Sequence, residues 1–109
     1  MTYDTKLGER IREKLKGTRG LVEKKMFGGA GFMIHGNMVC GVLKDDLIIR
    51  FNPEQHHEIL KRAHVKPFDS MGRPMAGWIL VSQEGCKTDK ALRDWIKMGV
   101  DFAKSLPPK

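Results

Sequence analysis

Between Val22 and Phe51 the chain is written in short apolar or alternating runs divided by turn residues. That rhythm specifies a meander of antiparallel strands, because a half-buried strand repeats every two residues and must reverse after each pass. It predicts strands near 22–27, 30–35, 38–43 and 46–51. In "HGNM", Gly36-Asn37 tolerate the positive φ of a two-residue hairpin turn, and Lys44-Asp45-Asp46 forms the next reversal.

Helical patterns flank this meander. Tyr3, Leu7, Ile11 and Leu15 recur at helical spacing among charged residues, so residues 3–17 read as an amphipathic helix stopped by "GTRG". At "FNPEQ", Asn52 suits a cap, Pro53 the first helical position and Gln55 a capping box, which starts a second helix over about 53–63. The stretch "VKPFDSMGRPMAG" reads as an irregular connection with one short extended piece around residues 66–68, and "GWILVS" as a buried strand near 77–82. In the last helix Leu92, Trp95, Ile96, Gly99, Phe102, Ala103 and Leu106 share one stripe, Thr88 caps the start and "LPPK" ends it. The apolar stripes of the first and last helices need a sheet to cover. The fold class is therefore α+β, a two-layer domain with an antiparallel sheet flanked by helices.

With 109 residues the chain has the length of one domain, 1–109, and no apolar run approaches the roughly 20 residues that cross a bilayer. No signal-peptide pattern opens it, so a cytoplasmic location is expected. The net charge of +7 makes nucleic acid a partner to test, with Lys24, Lys25, Arg50 and Arg73 as the residues to change first. Interleaved acids, as in "GERIREKLKGTR", equally suit helices that solvate their outer faces.

Catalytic and cofactor motifs do not assemble. The glycines of "FGGAGFMIHG" lead into a further strand, whereas a phosphate loop needs a helix N-terminus there; they suit a bulge or a close strand crossing. His35, His56, His57 and His64 lack a partner four residues away on a helix, so no metal is expected. Cys40 falls inside an apolar strand, and Cys86 lies before the last helix beside Lys87, where an inert exposed thiol is the default and a thiolate nucleophile the alternative. Most methionines are expected in the core. Met71 and Met75 sit in the Gly/Pro-rich loop with Arg73 between them, and with Trp78 they are the candidate partner-binding residues.

The stretches "KKMFGGAGFMIHGNMVCGV" (24–42), "DLIIRFNPE" (46–54), "GRPMAGWILV" (72–81) and "WIKMGVDFAKSLPPK" (95–109) together resemble the N-terminal domain of TfoX-type (Sxy-like) competence regulators. The resemblance implies a secretion-chaperone-like fold in the order helix, three strands, helix, two strands, helix. On that order residues 22–27 are a lead-in or two of the four runs merge. It also implies a bacterial, non-enzymatic protein without a cofactor. In the longer regulators the role is transcriptional, exercised with a cyclic-AMP-responsive activator. Those proteins continue into a helical second domain, so a stand-alone form of the first domain is expected here, as monomer or homodimer. Function on this basis is protein binding by a regulatory module, with nucleic-acid binding as the alternative.

Overall fold

The structure is a computed structural model that describes residues 4–26, 29–70 and 73–107. Helix α1 (Thr5–Leu15) precedes four strands, β1 (Leu21–Met26), β2 (Gly29–Ile34), β3 (Asn37–Leu43) and β4 (Asp46–Arg50). A 3-10 turn (Pro53–Gln55) runs into the short helix α2 (His56–Leu60), followed by β5 (Val65–Ser70) and β6 (Arg73–Val81). A second 3-10 turn (Gln83–Cys86) leads to α3 (Asp89–Ser105). The six strands make one antiparallel sheet in the order β1-β2-β3-β4-β6-β5. All four strands of the meander are present, so neither the lead-in nor the merger implied by the family order occurs.

Local chemistry sets these boundaries. Asp4 caps α1 by accepting from the amides of Lys6 and Leu7, and Thr88 caps α3 by accepting from Ala91. Asn52 Oδ1 accepts from the Glu54 amide and opens a helical segment that starts at Pro53 as expected, first as a 3-10 turn and then as α2, and ends at Leu60 rather than near residue 63. The β2–β3 hairpin turns on His35 (φ 51°) and Gly36 (φ 83°), with Ile34 paired to Asn37, one residue earlier than expected. Asn37 is instead buried and donates to the carbonyl of Pro107, fastening the end of α3 to this hairpin. The stretch expected to be irregular is a β-hairpin. Pro67 is accommodated because β5 is an edge strand with a register shift beside it.

Two irregularities decide which side chains go where. In β3 the register slips so that Phe32 faces Cys40 while Met33 faces Met38. Val39 is the extra residue of a bulge, and Val39 and Cys40 are both buried in the main core. In β6, Gly77 (φ 85°) interrupts the alternation, so that Met75 and Trp78, three residues apart, belong to one cluster. Gly77 donates its amide to His56 Nδ1 and accepts from the Phe51 amide, and a Cβ there would lie 2.8 Å from the Phe51 oxygen.

The main core lies between one face of the sheet and the helices. Leu7, Ile11 and Leu15 of α1 and Leu92, Trp95 and Ile96 of α3 pack onto Phe32, Val42, Ile49 and Ile79. Close contact of α3 with β3 depends on Gly99, where a Cβ would lie 2.4 Å from the Val39 carbonyl oxygen. Every helix thus sits on one side, because the members of the second apolar cluster all come from strands.

Candidate functional site

The second sheet face carries that cluster. Met38, Ile48 and Phe68 are buried there, and Met33, Leu43, Met75, Trp78 and Leu80 are partly buried against them. Val22, in register with Met33, extends the patch to the β1 edge and is 48% exposed. Phe68 meets Trp78 edge-on with centroids 6.0 Å apart. Gly31 and Gly41 pair across the middle of this face and leave a trough without side chains. Met38 lies over it, its Cε 3.1 Å from where a Cβ on Gly41 would stand. The glycines therefore serve the sheet: β2 continues through Gly29 to Ile34, and a Cβ on Gly29 would collide with the Val42 carbonyl.

At the end of β4, Arg50 pairs in register with Trp78 and so shares its face. Its guanidinium carbon lies 5.4 Å from the centroids of both Trp78 and Phe102, the latter on α3. Burial lowers its pKa from the ordinary arginine value. Asp46 and Lys66 form an ion pair at 3.0 Å over the same face.

The sequence-derived partner residues are only partly assembled here. Met75 and Trp78 lie in the cluster, whereas Met71 lies outside the described residues and of Arg73 only the backbone pairing with Ser70 is described. Met75 is in a strand and partly buried, not in a loop. Of the nucleic-acid candidates, Lys24, Lys25 and Arg50 do not form one patch. Lys24 and Lys25 are successive residues of a strand and point to opposite faces, and Arg50 lies three strands away, roughly 14 Å across the sheet.

The remaining chemistry offers less. Cys40 is fully buried, and desolvation pushes its thiol far above its ordinary pKa. Cys86 is buried rather than exposed, donates to the Ser82 carbonyl, and is also shifted upward, chiefly by desolvation. Neither thiol is activated towards the thiolate that a nucleophile requires. His56 stacks on Phe51 and accepts from Gly77, which gives it a structural task. Among the described residues no three His, Cys, Asp or Glu side chains gather as a metal group, and no helix is long and apolar enough to cross a membrane. An open groove of about 510 Å³ runs between the Pro53–Gln55 turn and α3, lined by Asn52, Gln55, Lys97 and Phe102 with Asp94 and Asp101.

The sequence reading missed Met33, Met38, Leu43, Phe68 and Leu80 as one surface. Their signal was present: β3, β4 and β6 are apolar at successive positions, yet the helical stripes suffice to cover only one side of a sheet. No curated protein matches the chain significantly. A family model does match, over residues 13–103, from the tail of α1 through all six strands to the last turns of α3. Two glycines of the stretches that carry the sequence resemblance have physical tasks in this structure: Gly29 in "MFGG" admits the Val42 carbonyl, and Gly77 before Trp78 holds a positive φ between Met75 and Trp78 of the uncovered face. The chain belongs to the TfoX N-terminal domain family.

Proposed function

We propose that this chain is a non-catalytic regulatory module that acts by binding another protein through the helix-free face of its sheet. The observation that carries this is the composition of that face. Methionines, Leu43, Leu80 and Trp78 stay partly exposed around a buried centre, although the helices already cover the other side. Patches of this kind mark interfaces, and thioether side chains adapt to a partner's shape. Membership of the TfoX N-terminal domain family supports a role in transcription regulation in the bacterial cytoplasm, with a cyclic-AMP-responsive activator as the first partner to try.

The test is the affinity of the purified chain for such an activator at two salt concentrations, for the wild type and for Leu80→Glu. Binding that changes little with salt and is lost in a Leu80→Glu protein of near-normal melting temperature supports the proposal. Undiminished binding by the variant contradicts it. Binding to DNA or RNA that falls steeply with salt favours the nucleic-acid alternative.

A further inference from the structure

We propose that Arg50 is a carboxylate-recognition site at the rim of the uncovered face, and that the partner segment docking there is apolar with an acidic residue placed to meet it. This deepens the function proposed above and rests on it. Arg50 emerges from the last position of β4, beside Trp78 in register, and its guanidinium lies equally close to the rings of Trp78 and Phe102. Contact with aromatic faces satisfies the π surface of a guanidinium and leaves its in-plane N–H donors to other groups. Among the described side chains no carboxylate pairs with Arg50, and its described contacts are the two rings. A planar fork held between two rings has lost much of its rotamer freedom beforehand, so a bound carboxylate gains two aligned hydrogen bonds at small entropic cost.

The charges around the face choose the partner's sign. Asp46 is neutralised by Lys66, whereas Lys24, on the same face at the β1 edge, has no acid partner among the described residues. The described part of the face therefore presents two uncompensated cations beside apolar side chains. A second copy of the chain would bring the same cations and a net +7 against +7, so charge opposes self-pairing. Among the described residues nucleic acid would meet few aromatic platforms, since Phe68 is buried and Trp78 is the one aromatic partly exposed in this cluster. An acidic, apolar polypeptide satisfies both parts of the surface.

The experiment follows methionine methyl and tryptophan indole signals by NMR while the intact protein is titrated with two end-blocked synthetic peptides. One is built of leucine and glutamate, and the other has glutamine in place of each glutamate. The expected result is that the glutamate peptide shifts Met33, Met75 and Trp78, and binds roughly tenfold tighter than its glutamine counterpart. Arg50→Gln should remove that tenfold difference while keeping the glutamine peptide's affinity, which also shows that the variant is folded. Equal affinity of both peptides for the wild type overturns the arginine site but leaves the interface standing. Absence of any shift on this face overturns both. Concentration-dependent shifts of the same methyls without peptide assign the face to a second copy, and shifts produced instead by a single-stranded oligonucleotide assign it to nucleic acid; either result overturns the proposal.

Discussion

Replacing Gly99 by alanine tests how the two layers are held at their working distance. An ideal Cβ at this position falls 2.4 Å from the carbonyl oxygen of Val39 and 3.0 Å from its Cγ1. The oxygen belongs to the backbone of β3, whose neighbouring residues Met38 and Cys40 are held in register by β2, so it can give way only if the strand shifts. Helix α3 must therefore withdraw and loosen its packing on β3 and β4. Overpacking of this kind costs about 1–3 kcal/mol, and a rigid backbone obstacle places it near the upper end. Alanine returns about 1 kcal/mol through its better helix propensity. The net expectation is a loss of about 2 kcal/mol, or roughly 10 °C in melting temperature for a domain of this size. Thermal and urea unfolding followed by circular dichroism read it directly. Arg93→Ala, at an exposed position of the same helix, should stay within about 0.5 kcal/mol of wild type. A Gly99→Ala protein as stable as wild type, or more so, would show that propensity governs the site and that the helix is not seated on the bulge.

Gly77→Ala places a side chain at φ 85° and 2.8 Å from the Phe51 oxygen, so it should cost about 2 kcal/mol in urea unfolding; an unchanged midpoint would refute the strain. Arg12 donates two hydrogen bonds to the Glu23 carboxylate, and this contact is the main reason that its pKa lies below 4.5. Because the folded state binds the proton less readily, the pair contributes stability above about pH 4.5 and loses it as the pH falls through the lowered folded value. Glu23→Gln should cost about 0.5 kcal/mol at neutral pH and flatten the acid limb of the stability profile; identical pH profiles would contradict the pairing. Both cysteines should resist iodoacetamide in the native protein at neutral pH and react once guanidinium unfolds it, whereas rapid native labelling would reveal an accessible thiolate.

The strand meander and the last helix were legible because local pattern and tertiary environment agree there. Thr88 caps where the sequence places a cap, and Leu92, Trp95 and Ile96 bury the stripe that their spacing draws. The β5–β6 hairpin was not legible, since Pro67, Pro74 and Gly77 signal irregular chain and only the pairing of the two segments with each other, and of Trp78–Val81 with β4, makes strands of their neighbours. The bulge at Val39 leaves no mark in "NMVCGV", where every residue is compatible with a regular strand. Met75 and Trp78 could be named as a pair, but their shared surface with Met33 and Met38 depends on strand register and on one positive φ. Composition does not encode either of these.

Methionine oxidation gives the most direct view of the helix-free face at work. Peroxide converts exposed thioethers to sulfoxides, and mass spectrometry of proteolytic fragments reports each site. Met33 and Met75 should oxidise in the purified protein and be protected when it is bound to its protein partner, while Met98, on the helical side, changes little between the two. Equal oxidation of Met33 and Met75 in the free and bound states would show that the partner docks elsewhere.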